Sequence, residues 1–452
     1  MATIVLKRLT KLFNRKPTDY NDRSVVGTQT HPLNAQLICP KALQVVRTLQ
    51  ENNFEAYLVG GCIRDLLLGL NPKDFDVATN AKPQEIKPLF KRSRIIGRRF
   101  QIVHVQFGRD IVEVTTFRSN SSNRDNGTHK NRDLQQSASG LLTRDNVFGS
   151  IKDDAHRRDL TVNALYYDPI SNTIYDFCQG LKDLEERKIR IIGDPTVRYR
   201  EDPVRLLRVA RFTAKLGFNV DSKTLKPIAK MAHNLAHVSA PRLFDETLKL
   251  FMNGQGLGVF KLLHEFGLFA VIIPQIHRII EHGNPLALRL IEQVLENTDL
   301  RIQRKQRVTP AFIYAALLWP AVQQLAAHLE SRGQSPSLAM SKAASEVIGN
   351  QIPITAIPKR FTIAMREIWS LQLALPRRAG QRAKRLSEHP RFRAAYDFVL
   401  LREQAGENLN GLGDWWTKYQ QVNDQEQQKM VQILETSRPR KHRQRRKKPR
   451  ID

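Results

Sequence analysis

A glycine pair, Gly60-Gly61, is followed by Arg64-Asp65 and then by Asp74-Phe75-Asp76. Two carboxylates two residues apart on a short apolar run share one face of a strand, because side chains alternate there. The glycines open the helix-like run Ile63 to Leu68 and leave unpaired backbone N–H groups at a helix N-terminus, where phosphate binds. A phosphate cradle beside paired carboxylates suits metal-dependent nucleotidyl transfer. Two divalent cations about 3.5–4 Å apart activate the attacking oxygen and stabilise the leaving one. Hard cations of this kind take oxygen ligands.

A third acid would complete such a site. Glu113 is one candidate: it lies between valines in Ile111-Val-Glu-Val-Thr-Thr-Phe117, where an acid is costly if buried unless it is ligated or paired. Asp159 is the other, within Arg157-Arg158-Asp159, and it could instead orient the neighbouring arginines. The two guanidiniums suit triphosphate oxygens bidentately, and Asn163 or Asp159 could read a ribose hydroxyl. Further on, Glu201-Asp202-Pro203-Val204-Arg205-Leu206-Leu207-Arg208-Val209-Ala210-Arg211 reads as a helix with Pro203 in its first turn. Asp202, Arg205 and Arg208 then lie near one face. A carboxylate beside a guanidinium pairs with adenine (N6 amine and N1) or cytosine (N4 amine and N3), and rejects guanine and uracil. This chemistry does not choose between A and C. The plainer reading of Asp202 and Arg205 is a helix salt bridge.

The elements that would hold these residues form an α/β head. It runs from a helix after Ala35 through a strand at Ala56–Val59, the Gly-Gly turn and helix, and a strand at Phe75–Ala78. A helix at Lys82–Phe90 follows, then a hairpin of Ile102–Phe107 and Ile111–Phe117 around Gly108-Arg109-Asp110. Ser119–Ser139 is almost wholly polar and reads as a mobile loop beside the site. Thr161–Tyr167 and Thr173–Phe177 are further strands. After Pro203 amphipathic helical patterns take over: Val204–Leu216, Pro241–Met252, Gly258–Phe266, Pro285–Leu295, Pro310–Leu329 (interrupted at Pro320), Arg360–Leu375 and Arg391–Glu403.

With 452 residues the chain has room for two to four domains. Lys and Arg number 72 against 44 Asp and Glu, a net charge of +28. Nine basic residues less one acid from Arg438 onward give the tail +8, so the rest keeps +20. Both parts should attract polyanions, with nucleic acid the natural partner and an acidic membrane surface the second. Near the N-terminus Val5, Leu6, Leu9, Leu12 and Phe13 form one helical stripe edged by Lys and Arg, which suits weak contact with lipid or RNA. No apolar run approaches the ~20 residues of a membrane helix, and no signal-peptide pattern is visible. Cys39, Cys62 and Cys178 are too widely spaced for a zinc pattern or disulfide framework, which favours a reducing cytoplasm.

Taken together and in order, Leu58-Val-Gly-Gly-Cys-Ile-Arg-Asp65, Lys73-Asp-Phe-Asp-Val77, Val112-Glu-Val-Thr-Thr-Phe-Arg118, Arg157-Arg-Asp-Leu-Thr-Val-Asn-Ala164 and Arg200-Glu-Asp-Pro-Val-Arg205 resemble the class II nucleotidyltransferases of the DNA polymerase beta superfamily. That group contains bacterial poly(A) polymerases and CCA-adding tRNA nucleotidyltransferases. From Ala56 to Arg402 the chain is most similar to the first of these. Gly97-Arg-Arg-Phe-Gln-Ile-Val-His104, Arg144-Asp-Asn-Val-Phe-Gly-Ser150, Ile357-Pro-Lys-Arg360 and His389-Pro-Arg-Phe-Arg-Ala-Ala-Tyr-Asp-Phe398 carry that similarity, and the arginine-rich end fits it. Cys62 departs from the family's small residue there.

The resemblance implies an α/β nucleotidyltransferase head with a mixed sheet over residues 31–190, after a basic extension at 1–30. A helical neck at 191–265, a helical body and tail at 266–436 and a disordered basic end at 437–452 would follow. It implies transfer of AMP from ATP to an RNA 3′-OH without a template, releasing pyrophosphate, in bacterial RNA processing and decay. Asp74 and Asp76 would hold two Mg²⁺ (or Mn²⁺), helped by Glu113 or Asp159. The nucleotide would meet Gly60, Gly61, Arg64, Asp65, Arg118, Arg157, Arg158, Asn163, Asp202, Arg205 and Arg208. Partners would be ATP, the 3′ ends of mRNA and of small structured RNAs, and RNA-decay or chaperone proteins; the protein would be a cytoplasmic monomer. Binding to the RNA backbone through the basic body would make activity steeply salt-sensitive. The rivals are CCA addition to tRNA and, in another class, a non-catalytic RNA-binding protein. Intact Asp74, Asp76 and Glu113 argue against the latter.

Overall fold

The computed structural model describes residues 26–28, 31–97, 101–119, 134–136, 142–145 and 147–436. The N-terminal stripe, the basic end from Arg438 and most of Ser119–Ser139 lie outside these residues. The chain divides into two units, Met1–Val238 and Ser239–Asp452.

Alternating apolar residues build the first unit around an eight-stranded mixed sheet. Its strands are β1 (Val26–Thr28), β2 (Ala56–Val59), β3 (Asp76–Thr79), β4 (Ser93–Ile96), β5 (Ile102–Phe107), β6 (Asp110–Thr116), β9 (Leu165–Asp168) and β10 (Thr173–Asp176). Between β6 and β9, β7 (Leu134–Gln136) and β8 (Leu142–Asp145) pair separately. The order across the sheet is β1-β10-β9-β2-β3-β6-β5-β4. Within this sheet, among the described residues, only β3 and β6 pair in parallel. A parallel pair needs a crossover, and the Pro83–Leu89 helix with β4 and β5 supplies it. β5 and β6 form the expected hairpin, turning at Gly108-Arg109, where Gly108 has φ +65°. The Pro40–Glu51 helix buries Ala42, Val45, Val46 and Leu49 at helical spacing and packs on β2, β3 and β6. A second cluster, Val59, Ala78, Phe117, Ala155 and Tyr166, closes the sheet with edge-on and stacked aromatic contacts from Tyr57 and Phe177.

Three local expectations differ from what is observed. β3 begins at Asp76, so Asp74 stands in the exposed approach to the strand rather than on it. Thr161–Asn163 is a 3₁₀ turn, not strand, and β9 starts only at Leu165. A Cβ at Gly180 would stand 2.4 Å from the Thr161 carbonyl, so the helix Gly180–Glu185 packs directly on that turn. The helix expected across Glu201–Arg211 is broken. Pro195–Glu201 ends at Asp202, and a second helix, Val204–Leu216, begins after Pro203. Proline has no N–H for the preceding turn and disfavours helical backbone in the residue before it; Asp202 accordingly sits at φ −147°, ψ 93°.

The second unit is helical. Helices Pro274–Glu281, Pro285–Gln303, Pro310–Ser331 and Pro336–Gln351 each carry proline in the first turn, where its missing N–H is harmless. Asn284 and Thr309 cap two of them. Pro310–Ser331 continues through Pro320 without the expected interruption. At 22 residues it is long and apolar enough to cross a membrane by length and composition, contrary to the sequence reading. It is instead the core helix of this unit, with Ile313–Val322 buried against Pro285–Gln303, Pro336–Gln351 and Lys359–Ala374. The Trp369 indole N–H donates to the Ala315 carbonyl at 3.1 Å. The His389–Phe398 motif supplies core residues here: Phe392 and Tyr396 pack with Trp416. Sequence reading also missed Pro336–Gln351, Leu412–Gln421 and Asp424–Thr436.

Candidate active site

Sheet register assembles the acids. Val59, at the end of β2, is paired with Asp76 of β3; Asp76 is paired with Glu113 of β6, and Glu113 with His104 of β5. Residues paired across neighbouring strands share a face of the sheet, so Asp76 and Glu113 stand side by side about 4.8 Å apart in backbone spacing. The Glu113 Oε1 is 3.3 Å from the His104 Nε2. The residue surface of Asp76 is open, while its carboxyl lies among dense protein atoms that displace water. Desolvation acts on the carboxyl itself. Loss of water, then the charge of Glu113, raise Asp76 to about 6 against the pull of Arg158, and Asp74 adds a smaller push upward. Asp74 is therefore near enough to Asp76 to be felt.

The Gly-Gly segment meets this row at Val59. Gly60 has φ +82° and ψ −124°, a conformation that L-residues with a Cβ avoid. A Cβ there would also sit 3.3 Å from Arg158 Nη1 and 3.4 Å from the Asn163 carbonyl. The first helical bond, Arg64 N–H to Gly60 O at 3.2 Å, comes only after the N–H groups of Gly61, Cys62 and Ile63. Cys62 is buried, and burial followed by the charge of Asp76 pushes its thiol up to about 12. The thiol links the cradle to the acid row and stays neutral.

A capping box, with Ser150 and Asp153 bonded to each other's backbone N–H, starts the helix Ile151–Arg157. That helix carries Asp154, whose side chain is 1% exposed. Its carboxylate accepts from Arg157 Nε (2.9 Å), Arg158 Nη2 (3.1 Å), the Tyr166 hydroxyl (2.7 Å) and the Arg118 backbone N–H (3.2 Å). Burial would raise its pKa, but Arg158, Arg157 and Tyr166 outweigh that and hold it at about 2. Arg158 also stacks on the Tyr166 ring, 5.2 Å from its centroid. Sequence reading missed Asp154 and Tyr166. The Asp154 spacing to Arg157 and Arg158, three and four residues, was the available signal.

Asp159 belongs to a different group from the acid row. It is ion-paired with Arg208; burial acts upward, but Arg208 and the Leu160 N–H hold its pKa well below the usual carboxylate range. Arg64 is 2% exposed, bonded to Asp65 (2.6 Å from Nη2) and to the Asn163 Oδ1, while Asp65 also receives Lys215 at 3.1 Å. Arg64, Arg208 and Arg211 all lie over the ring of Phe212, at 5.0, 5.3 and 5.0 Å, a platform not anticipated. Arg118 is buried, and its Nη2 donates to the Gln101 carbonyl at 2.7 Å. Arg205 is 9% exposed; its Nη1 donates to the Arg198 carbonyl (2.8 Å) and to Glu201 (3.1 Å). Glu201 also takes Arg198 at 2.7 Å, and neither residue was singled out from sequence. Asp202 is half-buried, its carboxylate accepting from the Val204 N–H at 3.3 Å. Residues of the nucleotide-binding set thus fall in adjoining groups: the Gly60–Arg158 cradle, the Arg64–Asp65–Asn163 knot against it, and Arg205 and Arg208 on the Val204–Leu216 helix, held by Glu201 and Asp159, with Phe212 joining Arg64 to Arg208.

Comparison with known proteins identifies the family. Family models match for the poly A polymerase head domain at residues 56–190, the probable RNA and SrmB-binding site of polymerase A at 217–280, and the polymerase A arginine-rich C-terminus at 332–450. Poly(A) polymerase I of Escherichia coli O157:H7 is 43% identical over 94% of this chain and 93% of its own length. A CCA-adding enzyme of Lactobacillus helveticus is 36% identical over 49% of this chain and 52% of its own. Among solved structures, the Bacillus stearothermophilus CCA-adding enzyme in complex with CTP superposes with a TM-score of 0.56 at 22% identity, covering 89% of each chain, which shows a shared fold. The likeness to poly(A) polymerase I runs through head, helical unit and arginine-rich end, where the CCA-adding relative covers half: the chain belongs to the bacterial poly(A) polymerase family, polynucleotide adenylyltransferases that extend RNA 3′ ends without a template.

Proposed function

We propose that Asp74, Asp76 and Glu113 hold Mg²⁺ and that AMP passes from ATP to an RNA 3′-OH beside them. The carrying observation is the lateral pairing of Asp76 with Glu113, with an Asp76 pKa raised to about 6. Burial and the neighbouring Glu113 and Asp74 disfavour a charged Asp76 carboxyl in spite of Arg158, and the oxygens of the three acids match the donors a hard divalent ion takes. When bound, such an ion lowers the pKa of the attacking hydroxyl and offsets charge gathering on the triphosphate. The fit argues for Glu113 over Asp159 as the third acid, since Asp159 is already neutralised by Arg208.

The chain's own groups orient the substrates. The Gly61, Cys62 and Ile63 N–H groups and Arg158 bind triphosphate oxygens, with Arg157 beside them. Asp154 fixes both guanidiniums so that little reorganisation is needed when phosphate arrives. Asn163, held by Arg64, faces the ribose. Glu201 and the Arg198 carbonyl lock Arg205 within one turn of Asp202. Asp202 accepts from the adenine N6 amine and Arg205 donates to N1. The net basic charge holds the acceptor strand through its backbone.

The test supplies Mg²⁺, each NTP alone and all four together, with an unstructured RNA and a tRNA lacking its terminal CCA. The account expects a long ladder with ATP on the unstructured RNA. A short product on the tRNA that needs CTP before ATP would contradict it.

A further inference from the structure

A cluster of two histidines and a glutamate lies in the helical unit, well separated in sequence from the acid row. The helix Gly256–Glu265 carries His264 near its C-terminal end. The chain turns at Gly267 (φ +71°), passes the short helix Phe269–Ile272 and enters Pro274–Glu281. His277 and Glu281 are four residues apart and so share one face of that helix. One ligand atom from each of His264, His277 and Glu281 lies within 4.8 Å of the others.

Three details point past an ordinary ion pair. The His264 Nε2 and His277 Nδ1 are both buried and both without a hydrogen-bond partner. The Glu281 Oε1 is 3.5 Å from the His264 Nε2, a salt-bridge distance without hydrogen-bond alignment. Such an ion pair would leave the His277 nitrogen unanswered, whereas one cation answers both imidazole lone pairs and the carboxylate together. Neighbouring ligands on a tetrahedral Zn²⁺ with bonds of about 2.0–2.2 Å stand about 3.3–3.5 Å apart. The His264–Glu281 edge already has this length, and the His277 ligand atom lies within 4.8 Å of both. The Phe260 ring, 6.2 Å from that of His264 and packed edge-on against Phe269, backs the site with apolar wall.

We propose that His264, His277 and Glu281 form a site for a divalent transition ion of the zinc class. Two imidazoles and one carboxylate are a zinc donor set with an open fourth position for water. Mg²⁺, which takes oxygen and keeps its waters, does not suit it. The ion would tie Gly256–Glu265 to Pro274–Glu281 across the Gly267 turn. It lies on other elements than the acid row, where three carboxylates offer oxygen and a single imidazole, His104, stands beside Glu113.

The full chain, stripped with chelator and kept in Mg²⁺ so that the acid row is served, is titrated with Zn²⁺ against a chromophoric competitor. His277→Gln and the exposed Glu281→Gln are titrated in parallel, and the bound ion is examined by zinc-edge X-ray absorption. Glu281 is 54% exposed at its side chain, so its variant should fold and retain Mg²⁺-dependent AMP transfer. The expected result is one Zn²⁺ with imidazole scattering, weakened more than about tenfold in each variant. Equal zinc affinity in wild type and both variants, or a bound ion with oxygen ligands alone, would overturn the proposal.

Discussion

Asp76 and Asp154 are the same side chain in the same unit, yet their pKa values move in opposite directions, to about 6 and about 2. Both carboxyls lose water. Asp76 stands beside Glu113 and Asp74 with Arg158 as its cation, whereas Asp154 takes two arginines and a tyrosine hydroxyl at hydrogen-bond distance. The contrast separates two roles that sequence does not distinguish. An acid surrounded by acids is poised for an external cation; an acid saturated by arginines positions those arginines. Asp159, held by Arg208, falls with Asp154 in this division.

The largest expected effect breaks the first half of the comparison. Asp76→Ala should cut AMP transfer by about 10³-fold or more, on the order of 4 kcal/mol of barrier. Gel-shift affinity for RNA should stay within about twofold, so a comparable loss of RNA binding would count against a metal role. The second half is structural. Asp154→Ala strands two guanidiniums beside a buried hydroxyl and should cost about 3–5 kcal/mol in denaturant unfolding. A change below about 1 kcal/mol would mean that solvent or Tyr166 already satisfies the arginines.

Between the two acids lies Gly60. Gly60→Ala forces a Cβ into a positive-φ conformation, a strain of about 1–2 kcal/mol, and crowds Arg158 Nη1. The KM for ATP should rise about tenfold with unfolding stability lowered far less than for Asp154→Ala; an unchanged KM would remove Gly60 from the cradle. The smallest effect is in pH. Asp76 has a raised pKa in the fold, so in metal-free protein its contribution to stability is full below about pH 4 and is lost as pH rises through about 6. Asp154 has the opposite sign: its contribution is present above about pH 4 and is lost as pH falls through about 2. The rise in Tm caused by Mg²⁺ should therefore be larger at pH 7 than at pH 5, by a few degrees at most. A larger rise at pH 5 would reverse the sign and the assignment.

Much of this was legible before the fold was seen. Gly60-Gly61, Asp76, Glu113 and the β5–β6 hairpin follow from local rules: positive φ, alternation and turn chemistry. What escaped was made partly by helix-spaced pairs, such as Asp154 with Arg157 and Arg158, and partly by pairing across long sequence distances. Nothing near Asp159 announces that Arg208 reaches it from 49 residues away, and Glu201 gains meaning only once Arg205 folds over it. The period of two puts Asp74 and Asp76 on one strand face, but the strand begins at Asp76. Pro320 was read as an interruption because propensity is local; the surrounding buried helices keep Pro310–Ser331 continuous. The same helix shows why composition alone confuses a protein core with a membrane span.

The division into poised and saturated acids is tested most directly by a Mg²⁺ titration of AMP transfer to an unstructured RNA, using wild type, Glu113→Gln and Asp159→Asn. The account predicts that Glu113→Gln loses most activity and shifts the remaining Mg²⁺ response to higher concentration, while Asp159→Asn keeps the wild-type Mg²⁺ midpoint. A normal midpoint in Glu113→Gln with a displaced one in Asp159→Asn would contradict it.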